Sequence, residues 1–218
     1  MPDFSILTNN IDMYLEGFKY TVMSSVVALI GSFVLGIVMA VMRISPIRIL
    51  NWIGSAYVEF VRNIPLVLIA FIFYFALPVI GITFNGFVAG TVALTVYTAA
   101  FIAEVIRAGI LSVAKGQMEA ARSSGLTYTQ AMYHVVLPQA MKIVIPPLGN
   151  QFLNLVKNSS ILGIIAGTDL MYQGDLISTK TFVTFDVYIF VGMFYLVLTI
   201  PLSMLVRYLE KRLAKEAV

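Results

Sequence analysis

Five long apolar runs constrain this chain more than any other feature of its sequence. A helix needs about 20 apolar residues to cross the hydrocarbon core of a bilayer. The qualifying runs are residues 18–42, 64–80, 86–103, 143–167 and 187–206. A soluble core of 218 residues could not bury so much apolar surface, because 60% of the chain is hydrophobic and 11% is charged. We therefore predict an all-α membrane protein with five transmembrane helices.

Lysine and arginine are distributed unevenly over the segments that connect these runs. Such residues accumulate in cytoplasmic connections. One set of connections contains eleven of them: Arg43, Arg48, Arg62, Arg107, Lys115, Arg122, Lys142, Arg207, Lys211, Arg212 and Lys215. The opposite set contains only Lys19 and Lys180. This asymmetry predicts an outside N-terminus and a cytoplasmic C-terminus. The basic residues form no patch, so we expect no nucleic-acid partner.

Several chemistries are excluded by residues that the sequence lacks. It has no cysteine and a single histidine, His134, so we predict no catalytic residues and no metal site. The pattern G-x-x-x-x-G-K-[ST] does not occur, so we do not expect this chain to hold ATP. The outer connections are too short for an extracellular domain. We therefore expect a single membrane domain over residues 1–218.

The longest polar connection, residues 108–140, contains the sequence GQMEAARSSGLTYTQAMYHVVLPQA. Gly125 follows a helix-forming segment and can adopt the left-handed conformation that ends a helix. Thr127 and Gln130 have the spacing of a capping box for a second helix, and Pro138 is expected to end it. The residues alone leave two interpretations open, a docking surface for another protein or an amphipathic hairpin on the membrane.

The fourth apolar run contains a polar face. At about 100° per residue, Gln151, Asn154 and Asn158 share one side of a helix, which Asn150 and Lys157 widen. Polar groups at membrane depth are costly unless they face water, a ligand or each other. A snorkelling lysine is the alternative for Lys157, but the amides cannot snorkel. This face therefore predicts a polar cavity.

Prolines and polar residues mark further positions in the spans. Pro146 and Pro147 predict an interruption of the fourth helix. Asn63 lies beside the helix start expected at Pro65. Tyr97 and Thr98 are polar residues within the third run and indicate a polar site more weakly. At its end, Glu104 and Arg107 have the spacing of an i, i+3 ion pair.

Four segments together resemble the permeases of bacterial ABC importers of the polar amino acid uptake family. Residues 116–140 resemble the E-A-A loop of these permeases, with E-A-A, three residues and then glycine. EFVRNIPLVLIAFIFYFALP, AFIAEVIRAGILSVAKGQ and GNQFLNLVKNSSI resemble the motifs of the second, third and fourth spans. The resemblance covers nearly the whole chain.

The resemblance implies a multi-pass subunit of a bacterial cytoplasmic membrane, with a type I importer fold. It implies a second permease subunit, identical or different, together with two ATPase subunits that hold ATP and Mg²⁺ and an extracytoplasmic substrate-binding protein. The loop at 108–140 would be the coupling element. The coupling residues carried over from the family are Glu119, Ala120, Ala121, Gly125 and Leu126. The expected substrate path contains Asn63, Tyr97, Thr98, Gln151, Asn154, Lys157 and Asn158.

Two departures from the family pattern bear on the substrate. The position after G-N is acidic in members that carry basic amino acids, but it is Gln151 here. The K-[DE]-[ST] pattern is altered to Lys157, Asn158 and Ser159. Both changes remove negative charge, so we expect a neutral polar amino acid such as glutamine. A glutamate or basic amino acid permease is the alternative, and a passive channel or a membrane sensor is a more distant one.

Overall fold

The computed structural model describes residues 3–215, and the side chains of residues 3–212. This part of the chain contains ten α-helices and no strand. The helices are α1 (Phe4–Asn9), α2 (Ile11–Ile44), α3 (Arg48–Arg62), α4 (Leu66–Phe71), α5 (Gly86–Ser112), α6 (Lys115–Ser123), α7 (Tyr128–Ala131), α8 (Leu137–Asn158), α9 (Leu170–Thr181) and α10 (Thr184–Lys215). Other helical segments are the π-helices Ile72–Ala76 and Met132–Val136 and the 3₁₀-helices Leu77–Ile80 and Ser159–Ile165.

Three helices in the described residues are long and apolar enough to cross a membrane: Ile11–Ile44, Gly86–Ser112 and Thr184–Arg212. They confirm the helices predicted from the runs at 18–42, 86–103 and 187–206. α2 and α5 pack closely, because small residues let their backbones approach. A Cβ on Gly36 would lie 2.6 Å from Cγ2 of Ile102. The centre of the fold is therefore the α2–α5 pair.

The second predicted span is broken rather than continuous. Arg48–Arg62 and Leu66–Ile80 meet at a bend of 106° and count together as at most one span. Pro65, which lacks an N–H donor, lies at the bend and precedes α4. α3 was not predicted from the sequence. It is amphipathic, with Val58 buried on one side and Trp52 exposed on the other.

The fourth predicted span also differs from the expectation. α8 continues through Pro146 and Pro147, so the predicted interruption at these residues is wrong. A proline removes one hydrogen bond, but its fixed φ is compatible with a helix, so packing can keep the helix intact. α8 ends instead at Asn158, and the 3₁₀-helix Ser159–Ile165 follows directly. Its 22 residues are long enough to cross a bilayer, but it is not among the three sufficiently apolar helices.

A buried aspartate ties α9 to the beginning of α2. Asp169 is fully buried and caps α9, where its carboxylate accepts hydrogen bonds from the N–H groups of Met171 at 3.1 Å and Tyr172 at 3.2 Å. The neighbouring Leu170 N–H donates to Oγ1 of Thr21 in α2 at 3.0 Å. Burial raises the pKa of the Asp169 carboxyl to about 7. The hydrogen bond between Leu170 and Thr21 holds the segment that follows the 3₁₀-helix Ser159–Ile165 against α2.

Candidate functional site

The E-A-A segment forms α6, which ends at a left-handed glycine as predicted. Gly125 has a φ of +89°. The Ser124 N–H donates to the Ala120 carbonyl at 3.0 Å, and the Leu126 N–H donates to the Ala121 carbonyl at 3.2 Å. These bonds satisfy carbonyls that the end of a helix would otherwise leave free. The corner after α6 is therefore set by local hydrogen bonds and by one glycine.

The segment after this corner begins as predicted but continues further. The Gln130 N–H donates to Thr127 Oγ1 and the Thr127 N–H donates to Gln130 Oε1, which confirms the capping box. The predicted stop at Pro138 is wrong. α7 runs through a π-helix into α8, and Pro138 lies in the first turn of α8, where its missing N–H has no role in the helix. The α6 corner is thus connected without a break to the polar face of α8.

The proposed coupling residues divide into an exposed set and an inward set. Glu119, Ala120 and Gly125 are exposed, so another protein can reach them. Ala121 is 7% exposed and Leu126 is half-buried. These two residues pack α6 against its own chain. Their part in coupling would therefore be to hold the exposed residues in place.

A four-residue ion cluster joins α2, α3 and α5. The i, i+3 pair predicted for Glu104 and Arg107 is present, with Arg107 Nη2 donating to Glu104 Oε1 at 2.7 Å. Arg43 of α2 also donates to Glu104, and Nη1 of Arg62 lies 3.7 Å from Glu104 Oε2. Sequence reasoning missed both partners, because no local spacing relates α2 or α3 to α5.

The polar face of α8 is open in a single chain. Asn154 and Lys157 are exposed, and Gln151 and Asn158 are half-buried. None of these four side chains has a hydrogen-bond partner in the part of the chain that the structure describes. Their polar groups therefore remain available to a ligand, to water or to another subunit.

Two grooves flank this face. Lys157 lines a groove of about 280 Å³ next to Thr199, Ser203 and Arg207 of α10. Asn158 lines a groove of about 320 Å³ that also contains Asp175 of α9. Sequence reasoning missed Asp175, which lies beyond the fourth run and whose carboxylate accepts a hydrogen bond from the Tyr188 hydroxyl.

The remaining predicted path residues lie elsewhere. Asn63 is exposed at the turn after α3, and its Nδ2 donates to the Glu59 carbonyl at 2.6 Å. Tyr97 is half-buried, with its ring 4.9 Å from that of Phe101. Thr98 is 3% exposed and belongs to the interior. The structure of one chain does not bring these three residues into either groove beside α8.

The family described as "binding-protein-dependent transport system inner membrane component" matches residues 32–215 of this chain. That range contains α3 to α10, including α6 with its glycine corner and the polar face of α8. The chain therefore belongs to this family of transport-system membrane components. The resemblance to ABC importer permeases found in the sequence is confirmed.

Named relatives and a solved structure agree with this assignment. The chain is 71% identical over 211 residues to a Bacillus subtilis protein named "Probable glutamine ABC transporter permease protein GlnM", covering 97% of this chain and 98% of the relative. It is 36% identical to the B. subtilis "Arginine transport system permease protein ArtQ", covering 97% of each. A solved structure titled "Crystal structure of an amino acid ABC transporter with histidines" is 35% identical, with a TM-score of 0.91, and 97% of this chain and 99% of that chain are covered.

Proposed function

We propose that this chain is the permease subunit of an ATP-driven glutamine importer in a bacterial cytoplasmic membrane. In this proposal it crosses the membrane five times, with its N-terminus outside and its C-terminus in the cytoplasm. The observation that carries the proposal is the unpartnered polar face of α8. Gln151, Asn154 and Asn158 would line the substrate path together with a second permease subunit. A second subunit is required because polar groups at membrane depth need partners.

The amides of this face favour a neutral polar substrate. A side-chain amide both donates and accepts hydrogen bonds, so Gln151 and Asn154 can pair with the amide of glutamine or with its zwitterionic backbone. The name of the relative at 71% identity supports the same substrate. Of the described residues that line the two flanking grooves, Asp175 is the one carboxylate, and it accepts a hydrogen bond from the Tyr188 hydroxyl.

Glutamate and arginine are the competing substrates. Lys157 offers a positive charge that would suit the carboxylate of glutamate. The arginine permease relative is 36% identical over almost the whole chain, so overall similarity at that level does not separate substrates. A cationic side chain facing the amides would lack a counter-charge, at a cost of several kcal/mol. The charges on α8 therefore favour glutamine over arginine.

Coupling to ATP would occur through α6. Glu119 and Ala120 are exposed and form a surface to which an ATPase subunit can bind. The Gly125 corner fixes the angle between that surface and the segment that follows. Two ATPase subunits would bind ATP and Mg²⁺, and an extracytoplasmic binding protein would deliver the amino acid. Movement of α6 would be transmitted to the substrate path along α8, because the chain runs from α7 into α8 without a break.

The proposal is tested by uptake of labelled glutamine into proteoliposomes that contain this chain and its partner subunits. We expect uptake that requires ATP and the binding protein, and that excess glutamine inhibits more strongly than excess arginine, histidine or glutamate. Uptake without ATP would indicate a passive channel and contradict the proposal. Preferred uptake of arginine would contradict the assignment of glutamine as the substrate.

A substitution on the exposed surface of α6 separates coupling from folding. Glu119→Lys reverses a charge that has no ion-pair partner among the described residues. We expect normal amounts of protein in the membrane but a large loss of ATP-driven uptake. Lys180→Glu, an exposed charge reversal on α9, is the matched control. Normal uptake by the Glu119→Lys protein would contradict the assignment of α6.

A further inference from the structure

A cavity of about 410 Å³ lies where α2 and α5 meet α6 and the π-helix before α8. Its walls are largely apolar and include Ile110, Leu111 and Met118. Three cations also line it, Arg43, Arg107 and Lys115, and its described lining contains no carboxylate. Such a surface matches a ligand that has one anionic end and one apolar end.

Arg43 contributes to this cavity a guanidinium group whose positive charge is only partly neutralised. Its side chain is 9% exposed, and its buried Nε–H has no acceptor in the part of the chain that the structure describes. A buried donor without a partner is costly, and more so when the group is charged. Glu104 is the only carboxylate that pairs with Arg43 among the described residues, and it also pairs with Arg107 and Arg62. One negative charge is thus shared by three guanidinium groups.

The position of the cavity identifies the class of anion. It lies at the Ile44 end of α2 and the Ser112 end of α5, two helices that are long and apolar enough to cross a membrane. Lipid headgroups lie at such helix ends, and basic residues there attract anionic lipids. We propose that this cavity binds the phosphate of an anionic phospholipid through Arg43, Arg107 and Lys115. Its acyl chains lie along Leu111, which is 62% exposed.

The bound lipid connects the membrane to α6. Lys115 and Met118 belong to α6, whereas Arg43 and Arg107 belong to α2 and α5. A phosphate between them holds α6 against the ends of the two apolar helices. This site goes beyond the proposed transport function and does not depend on which amino acid is carried.

Native mass spectrometry of the purified full chain tests the site. The probes are phosphatidylglycerol, phosphatidylcholine with the same acyl chains, and inorganic phosphate. We expect one phosphatidylglycerol per chain to be retained in preference to phosphatidylcholine. Lys115→Gln should weaken that binding about fivefold, the effect of one cation near an anionic headgroup, and Lys115→Arg should restore it. Arg48→Gln removes a cation from α3 outside the cavity and should leave binding unchanged.

Two further results separate a bound phospholipid from a free anion and from diffuse charge attraction. Leu111→Gln should weaken phosphatidylglycerol binding, because it replaces an apolar wall, without changing the binding of phosphate. Equal losses for Lys115→Gln and Arg48→Gln would show diffuse attraction and overturn the proposal. It would also be overturned if millimolar phosphate displaced the lipid completely and Leu111→Gln had no effect, since the site would then bind a free anion.

Discussion

Arg43 of α2 and Glu104 of α5 are 61 residues apart in sequence and form a direct ion pair. Glu104 also accepts two hydrogen bonds from Arg107, at 2.7 and 3.2 Å. Arg62 of α3 approaches the same carboxylate and lies over the Phe101 ring, 5.4 Å from its centroid. A single carboxylate in α5 therefore joins that helix to the C-terminal ends of α2 and α3.

Glu104→Gln is expected to destabilise the protein by on the order of 2 kcal/mol, because it leaves the guanidinium groups without their counter-charge. The loss should be smaller than for a fully buried pair, since 22% of the Glu104 side chain is exposed. The measurement is the unfolding temperature of the purified protein in detergent. Glu59→Gln, which neutralises an exposed glutamate on α3, is the control. Equal stability of the two variants would show that the cluster does not hold the helices together.

Gly125→Ala should destabilise the corner after α6 by about 1 kcal/mol, and Gly125→Val by more. A Cβ at this position would meet nothing within 4 Å, so the cost comes from the positive φ alone. Gly116→Ala is a matched control, because Gly116 has equally open surroundings but lies in α6 without a positive φ. ATP-driven uptake per folded transporter measures the effect. If both alanine variants transported equally, the corner would have no role in coupling.

Gln151→Glu should shift substrate preference toward basic amino acids. It places a negative charge on the open face of α8, where a cationic side chain otherwise has only amides to contact. Competition of labelled glutamine uptake by excess arginine, histidine, glutamate and asparagine measures the change. Asn9→Asp adds the same charge at an exposed position at the end of α1 and should not alter preference. An unchanged order of competitors in the Gln151→Glu protein would exclude this residue from the path.

Asp169 should make stability depend on pH. Burial raises its pKa in the folded protein from 3.8 to about 7, so the protonated carboxyl favours the fold. That contribution is fully present below about pH 4 and is lost as the pH rises through about 7. The unfolding temperature should therefore fall between about pH 4 and pH 7.

Asp169→Asn provides the comparison. Asparagine can still accept hydrogen bonds as an N-cap but does not titrate, so its unfolding temperature should depend less on pH. Asp169→Ala removes the cap and should cost about 1 kcal/mol or more. The same pH dependence in the parent and in the Asp169→Asn protein would show that another group is responsible.

Features set by neighbouring residues could be predicted from the sequence. The apolar runs at 18–42, 86–103 and 187–206 correspond to three helices, because burial in lipid requires a continuous apolar segment whatever its neighbours are. The Gly125 corner and the Thr127–Gln130 capping box were also predicted, since their hydrogen bonds join residues a few positions apart.

Proline was the local signal that led to wrong predictions of helix ends. Pro138 was expected to end a helix and Pro146 and Pro147 to break one, but α8 contains all three. Proline at the first turn of a helix costs little, and within a helix it weakens the hydrogen bonding without deciding the path of the chain. The contacts on either side of these residues, such as Val144 and Leu148 packed against Ile102, are what the sequence does not display.

Helical spacing was enough to show which segments are apolar, where α6 ends and which polar side chains share a face of α8. Only the packing of whole helices decided that Arg43 and Arg62 join Glu104, that Leu170 bonds Thr21, and that Thr98 is interior while Asn154 is open. These contacts join residues that lie far apart along the chain. They depend on how closely the helices approach one another, which small residues such as Gly36 permit but do not specify.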